Sequence, residues 1–185
     1  MRIQPIVEGR GEVEAVRVLL RRLINEAGAY GFEVDRPIRL NRSDFVNEGS
    51  LRRWVRFALE KTECRAILIL FDGDDDCPKT LGPRVEAWAR AEAGTVPCAV
   101  VVAHREFEAW FLAAIESLRG ERGILGDAVS HPSPEVPRNA KGQLSDRMTA
   151  GRSYPATADQ AALAAALYGA FCLGSHRARS GAQVS

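Results

Sequence analysis

A row of acidic residues follows an apolar stretch in the middle of the chain and is the clearest candidate for chemistry in this sequence. Residues Ala66 to Phe71 are six consecutive apolar residues, which predict a strand buried on both faces. Gly73 is expected to bend the backbone so that the Asp72 and Asp74 carboxylates converge. Two carboxylates about 4 Å apart repel each other by about 1 kcal/mol in water and about 4 kcal/mol near a protein surface, so a hard cation such as Mg²⁺ (or Mn²⁺) would offset the repulsion. A solvated acidic loop is the alternative.

Acidic pairs also follow two other predicted strands. Glu8 and Glu12 come after the first strand, and Glu106 and Glu108 come after the valine-rich strand that ends at His104. In a parallel sheet the carboxyl ends of the strands lie on one edge, where ligands bind. If these three strands are neighbours, their acids meet. Such a cluster suits metal-assisted phosphoryl transfer, in which two ions clamp the attacking and leaving oxygens.

Strands alternate with helices along the chain, which predicts an α/β fold with a mainly parallel sheet of about four strands flanked by helices. Pro5 favours an edge position or a late start for the first strand, and Pro37 interrupts the second. The segment Asn41–Asp44 is predicted as a loop. The predicted strands are Arg2–Glu8, Val34–Leu40, the apolar stretch and Val96–His104, and the predicted helices are Glu12–Ala27, Glu48–Lys61, Leu81–Ala93, Arg105–Ile115 and Thr157–Leu173.

Length and composition favour one globular domain. The chain has 185 residues, of which 46% are hydrophobic and 26% charged, and its net charge is +1, so no global field favours or excludes nucleic acid. We predict a single domain over residues 1–173, which includes a long ordered loop over 120–156, a short helix near Leu144 and the C-terminal helix. Residues 174–185 are predicted to be a polar tail.

Cysteine spacing and hydropathy indicate a cytoplasmic protein. The four cysteines are scattered without a CxxC pair, which favours free thiols in a reducing compartment. No signal peptide opens the sequence and no apolar run reaches transmembrane length, so no membrane partner is expected. The sequence leaves the oligomeric state open.

Two motifs resemble the Toprim domain, which bacterial primases, topoisomerases and the OLD-family nucleases share. They are Ile6-Val7-Glu8-Gly9, a Glu-Gly turn after the first strand, and Leu70-Phe71-Asp72-Gly73-Asp74, an Asp-x-Asp after the third. Glu12 and Glu108 are similar to the OLD-type pattern. The likeness covers roughly Arg2 to Leu118. A looser likeness, to small uncharacterised bacterial Toprim-like proteins, extends through Lys141 to Gln160.

The resemblance implies roles for individual residues. Lys141 matches the late lysine of OLD-type enzymes and would neutralise charge on a phosphoryl group, although a plain solvated lysine is the alternative. Glu8 would act either as a metal ligand or as a general acid or base. The roles of Asp75, Asp76 and Glu106 stay open. The residues implied in binding Mg²⁺ are Glu8, Glu12, Asp72, Asp74 and Glu108.

The resemblance implies a Mg²⁺-dependent nuclease, a phosphodiesterase that acts on DNA or RNA. Topoisomerase and primase chemistry need parts that the sequence lacks. The alternative is a non-catalytic subunit of a bacterial defence-type system that binds nucleic acid or a separate ATPase partner, because the sequence contains no ATP-binding motif. A dinucleotide fingerprint at Gly9-Arg10-Gly11 is disfavoured, since Glu14 occupies the third glycine position and Glu8 would repel a pyrophosphate. The Asp72-Gly73-Asp74 turn also resembles that of haloacid-dehalogenase phosphatases, but those place it after the first strand.

Overall fold

A computed structural model describes residues 1–167, and its centre is a parallel sheet. The strands are β1 (Arg2–Val7), β2 (Glu33–Val34), β3 (Ile38–Arg39), β4 (Cys64–Asp72) and β5 (Cys98–Ala103). The strand order is β2-β1-β4-β5, and the short β3 also pairs with β1. Every pairing within this sheet is parallel. The predicted α/β fold with a mainly parallel sheet is therefore confirmed.

Helices cover both faces of the sheet and form a hydrophobic core on each. On one face, α1 (Glu12–Glu26), α5 (Ala109–Ala113), α6 (Ala140–Ser145) and α7 (Ala156–Ala166) contribute to a core that includes Phe107 and Phe111. On the other face, α2 (Arg42–Phe45), α3 (Glu48–Leu59) and α4 (Pro78–Ala93) pack around a core in which the Phe45 and Phe71 rings stack. Successive residues of β4 point to opposite faces, so its apolar run fills both cores.

Two predicted elements differ from the structure near the carboxyl edge. The segment Asn41–Asp44 is not a loop, because Asn41 and Asp44 form a capping box that begins α2 at Arg42. The helix predicted from Arg105 begins only at Ala109, because Arg105 has a φ of 64°, which no α-helix contains. The last part of the predicted C-terminal helix and the predicted tail over 174–185 lie outside the described residues.

The first strand is interior, and the prediction that Pro5 marks an edge or a late start is wrong. Ile3 and Val7 accept backbone hydrogen bonds from Asp35 and Leu40, so alternate residues of β1 face β2 and β3. Pro5 lies on that same side, opposite the gap between the two short strands. Proline has no backbone N–H to donate, and none is needed here because no strand lies opposite it. The Gln4 side-chain amide fills the gap by donating to the carbonyls of Pro5 and Arg36, each at 3.0 Å.

The segment over 120–156 is ordered and joins the sheet edge through short elements. It contains a turn of 3₁₀-helix at Glu121–Gly123, an isolated antiparallel bridge between Ile124 and Met148, and α6 around the predicted position of Leu144. Leu144 and Met148 are buried in the first core. The segment can therefore hold its polar residues at fixed positions beside the sheet.

Candidate functional site

The strand order brings the three acidic pairs to one edge of the sheet. β1, β4 and β5 are consecutive neighbours, and their carboxyl ends carry the Glu8, Asp72 and Glu106 turns respectively. We call Glu8, Glu12, Asp72 and Glu108 the carboxylate cluster. Each of them alters the pKa of at least one other member through its charge or a backbone hydrogen bond, so they lie close together. These four residues therefore lie at the same edge of the sheet, which is the arrangement that the predicted convergence requires.

The Glu8–Glu12 turn is organised by the second of its two glutamates. The Glu12 carboxylate accepts hydrogen bonds from the backbone N–H groups of Gly9 and Glu8, the latter at 3.1 Å, and it is only 3% exposed. A Cβ on Gly9 would lie 2.7 Å from Glu12 Oε1, so a side chain there would displace the Glu12 carboxylate. One oxygen of Glu8, Oε2, is buried and has no hydrogen-bond partner in residues 1–167. Glu12 thus fixes the turn and leaves Glu8 Oε2 free for a ligand.

Asp72 points into the cluster and is held by the neighbouring strand's turn. Its Oδ1 accepts a hydrogen bond from the Phe107 N–H at 2.7 Å. Asp74 does not join it, because its side chain is 61% exposed and its Oδ2 lies 3.6 Å from Arg42 Nε. The expectation that Asp72 and Asp74 converge on one point is therefore wrong for this conformation. Asp74 still raises the pKa of Glu8 through its negative charge, so it lies at the rim.

Gly73 has a different role from the one predicted. Its φ is not positive, and its N–H donates to the Ala103 carbonyl at 2.8 Å, which extends the pairing of β4 with β5 beyond Asp72. A Cβ on Gly73 would lie 2.7 Å from that carbonyl oxygen. Glycine is needed here for close approach and not for a bend.

The variant Gly73→Ala is expected to destabilise the protein by about 1–3 kcal/mol, because β5 must move to admit the methyl group. Urea unfolding of the variant and the wild type measures the difference. Gly126→Ala is the matched control, because nothing lies within 4 Å of its Cβ position and its φ is not positive. Equal losses in the two variants would contradict the assigned role of Gly73.

Lys141 lies beside the cluster and is tied to it by two acids. Its Nζ is 3.3 Å from Glu106 Oε2 and 3.5 Å from Glu108 Oε2. Glu106 Oε1 also accepts the Ala140 N–H at 3.0 Å, so Glu106 fastens the start of α6 to the turn after β5. Glu108 is only 1% exposed. The lysine is therefore placed among the candidate residues, and Glu106 positions it.

Burial and mutual repulsion shift the proton affinities of the cluster. Burial, then the charges of Glu12 and Glu108, raise the pKa of Asp72 to about 8. Burial raises the pKa of Glu12 to about 7, with smaller contributions from Glu108 and Glu8. Burial also raises the pKa values of Glu8 and Glu108, which nearby cations partly oppose. Burial lowers the pKa of Lys141, but the charges of Glu108, Glu106 and Asp72 outweigh it and leave the pKa raised. The site thus attracts cations.

Arg42 clamps the acidic turn and was not predicted as a site residue. Its guanidinium donates to the backbone carbonyls of Asp72 and Gly73 and to Asp76 Oδ2, the last at 2.7 Å. It also lies over the Phe71 ring, 5.3 Å from the centroid. The capping box is the sequence signal that could have placed Arg42 at a helix start facing this edge.

The two further aspartates of the turn make ion pairs outside the cluster. Asp76 binds Arg42, and Asp75 lies 3.0 Å from both Arg105 and Arg138. Arg138 belongs to the segment over 120–156, so Asp75 helps to fasten that segment to the turn after β4. These pairs are exposed and each contributes at most about 1 kcal/mol. Asp75 and Asp76 therefore support the turn and do not point into the cluster.

A cavity of about 380 Å³ opens beside the cluster. Its wall contains three carboxylates, of Glu8, Glu12 and Asp72, together with four cationic side chains. Arg42 and Lys141 make the ion pairs described above, whereas Arg10 and Arg39 are exposed. A cavity lined by both signs of charge can bind an anion and a cation side by side.

The carboxylate cluster fits a hard cation by its chemistry. It supplies only oxygen donors, which Mg²⁺ and Mn²⁺ prefer, and Glu8 Oε2 is a buried acceptor with no partner in the described residues. However, no group of three or more His, Cys, Asp or Glu side chains in residues 1–167 forms a ready-made metal site. Side chains of the cluster would therefore have to rotate before they could hold a cation together.

A family comparison classifies the chain as a whole. The model of a domain of unknown function, DUF4276, matches residues 7–168. The chain belongs to the DUF4276 family. The match begins at the last residue of β1 and so includes Glu8, the cluster and Lys141. No curated protein and no solved structure matches the chain.

The DUF4276 chain shows two further features that bear on the sequence predictions. Cys64, Cys77 and Cys98 are free thiols, whereas Cys172 lies outside the described residues. None of the helices within residues 1–167 is both long and apolar enough to span a membrane.

Proposed function

We propose that this member of the DUF4276 family is a Mg²⁺-dependent phosphodiesterase that cleaves nucleic acid, DNA or RNA. The observation that supports it is the convergence of Glu8, Glu12, Asp72 and Glu108 on one sheet edge, next to Lys141. The resemblance of the Glu8-Gly9 and Asp72-Gly73-Asp74 turns to Toprim motifs gives independent support. Mn²⁺ would serve in place of Mg²⁺.

The carboxylates divide between two tasks in this proposal. Glu12, Asp72 and Glu108 would hold the cation, and Asp74 lies at the rim of the same site. When bound, Mg²⁺ polarises a phosphoryl oxygen and lowers the pKa of an attacking water. Glu8 would contribute one oxygen to the same set. Its partner-free Oε2 would accept the proton of the attacking water as the new phosphorus–oxygen bond forms. The phosphorus–oxygen bond to the leaving strand breaks in the same step, and the leaving oxygen takes a proton from solvent.

The cationic residues act on the phosphate. Lys141 moves its ammonium group from Glu108 toward the transferring phosphoryl group and offsets the charge that develops there. Glu106 holds the start of α6, so it determines where Lys141 can reach. Arg42 keeps the turn after β4 in place through its backbone contacts and positions Asp72 without contacting the substrate.

Metal dependence is the direct test of this proposal. We expect the wild-type protein to cleave labelled single-stranded DNA, RNA or plasmid with Mg²⁺ or Mn²⁺, and to lose cleavage fully in EDTA. Calorimetric titration of the metal-free protein with Mn²⁺ should show uptake. Cleavage that persists in EDTA, or no cleavage of any of these substrates with either metal, would remove the phosphodiesterase assignment.

One observation favours a second candidate function, a non-catalytic subunit that binds nucleic acid or a partner ATPase. The described residues contain no ready-made metal site, and a pure binding protein needs none. In that case nucleic acid binds equally well with or without Mg²⁺, and Glu8→Gln leaves the binding unchanged. Metal uptake coupled to cleavage distinguishes the phosphodiesterase from this alternative.

A further inference from the structure

The cavity beside the carboxylate cluster has a second, positively charged wall. Arg10, in the turn after β1, and Arg39, at the end of β3, both line it. Both side chains are exposed, and neither makes a hydrogen bond or an ion pair within residues 1–167. Arg42 and Lys141 use their charges on nearby acids, so Arg10 and Arg39 are the cations of this wall that remain available to a ligand.

The beginning of α7 faces the same wall. Ala156 and Thr157 line the cavity, and this 11-residue helix begins after Pro155 without a side-chain cap. The first N–H groups of this helix that find a partner are those of Ala158 and Asp159, which donate to the Pro155 carbonyl. The N–H groups of Ala156 and Thr157 have no partner in the described part of the chain. Unpaired N–H groups at a helix start favour anions.

A buried amide points to a ligand at the same place. Gln160 is only 2% exposed, lines the cavity and has no hydrogen-bond partner within residues 1–167. A Cβ on Gly11 would lie 2.0 Å from Gln160 Oε1 and 2.7 Å from the Ala156 carbonyl oxygen. The missing side chain of Gly11 therefore lets the amide lie against the turn that carries Arg10. Because the Gln160 amide lines the cavity and makes no hydrogen bond in the described residues, it is available to a ligand or water there.

The negative charges near this wall are accounted for. Asp159 lies in the first turn of α7, but Arg152 pairs with it at 2.8 Å. Glu8, Glu12 and Asp72 line the same cavity and would repel an anion. A bound cation would offset them, so an anion on the Arg10 wall and a cation at the cluster would assist each other.

We propose that Arg10, Arg39, Gln160 and the start of α7 form a subsite for a phosphate of a nucleic-acid chain, next to the phosphate that is cleaved. This inference rests on the proposed function, because it places a second phosphate beside the cleavage site. It restricts the substrate to a polymer with adjacent phosphates, since a single phosphodiester cannot occupy both positions. The backbone N–H groups, the amide and the two guanidinium groups carry no base-specific contact, so recognition is independent of sequence.

The test measures binding separately from cleavage. All proteins carry Asp72→Asn so that a fluorescent single-stranded oligonucleotide stays intact, and anisotropy gives its Kd in Mg²⁺ at several salt concentrations. Arg10→Gln/Arg39→Gln is expected to weaken binding and to lower the slope of log K against log salt by about 0.7 for each lost phosphate contact. The control, Arg21→Gln/Arg65→Gln, removes the same charge from two exposed arginines that do not line the cavity, and it should change nothing.

Two further arms identify the ligand. Gln160→Leu should weaken binding about two- to tenfold without changing the salt slope, because a neutral donor releases no counterion. Inorganic phosphate should displace the oligonucleotide only at much higher concentration than an unlabelled oligonucleotide does. Equal slopes for the cavity and control doubles would overturn the subsite, and so would displacement by free phosphate at low concentration. These outcomes do not depend on cleavage by the wild type, so failure of the subsite and failure of the phosphodiesterase assignment are distinguishable.

Discussion

Asp72→Asn is expected to lower Mg²⁺-dependent cleavage at least about 100-fold, since even outer residues of metal sites contribute about 10- to 100-fold. Asp72 lies at the centre of the cluster, and its pKa responds to both Glu12 and Glu108. Asparagine keeps the shape and the hydrogen bond from the Phe107 N–H but removes the charge that attracts the cation. Initial rates of oligonucleotide cleavage at saturating Mg²⁺ measure the loss.

The matched control for this variant is Asp127→Asn, which makes the same change at an exposed aspartate that does not line the cavity. Circular dichroism and thermal unfolding establish that both variants are folded. If Asp72→Asn cleaves as fast as Asp127→Asn, the carboxylate cluster has no part in the reaction. A rate lost in both variants would point to a general effect of charge.

The metal-free protein is expected to lose stability as the pH rises from 5 to about 8. Folding raises the pKa of Asp72 from 3.8 to about 8 and that of Glu12 from 4.5 to about 7. The folded state thus binds protons that the unfolded state has already released, and this contribution is complete below pH 4 and lost as the pH passes through 7 and 8. Each group contributes on the order of 1.4 kcal/mol per pH unit within its window.

Urea unfolding in EDTA at pH 5.5, 7 and 8.5 measures this slope. Asp72→Asn removes one of the two groups and should flatten the pH dependence, making the variant more stable than the wild type at pH 8.5. Mg²⁺ should stabilise the wild type more at pH 8.5 than at pH 5.5, because it binds the ionised carboxylates. A wild-type protein whose stability is the same at all three pH values would contradict the burial of these acids.

The sequence was sufficient to predict the mainly parallel sheet, and it predicted a meeting of the acids only if the strands that carry them are neighbours. The apolar run and the acidic pairs after predicted strands are local signals that a single chain displays directly. They set the condition that β1, β4 and β5 be neighbours if the acids are to meet, and the structure meets that condition. Lys141 was singled out only by resemblance, and it lies beside Glu108.

The parts that the sequence did not predict depend on contacts between distant segments. The need for glycine at position 73 comes from the approach of Ala103, thirty residues away, and Asp74 turns to Arg42 instead of to Asp72. Arg42 itself lay in the segment Asn41–Asp44, which the sequence predicted as a loop. The position of the Gln160 amide depends on Gly11, which lies directly against it although the two residues are far apart in the sequence. None of these contacts produces a repeating pattern in the sequence, because each joins one residue to one part of a distant segment.

The gap between β2 and β3 and the proline at position 5 of β1 are two irregularities that match each other. A residue other than proline at position 5 would bring an amide proton that faces the gap between β2 and β3, where no strand offers an acceptor. A continuous neighbouring strand would in turn present an acceptor that proline cannot use. Removing either irregularity alone therefore creates an unpaired polar group. Only a simultaneous change of Gln4, Pro5 and the residues around Pro37 would let β1 pair regularly with one continuous strand. Each irregularity therefore requires the other, and together they maintain the present pairing of β1 with β2 and β3.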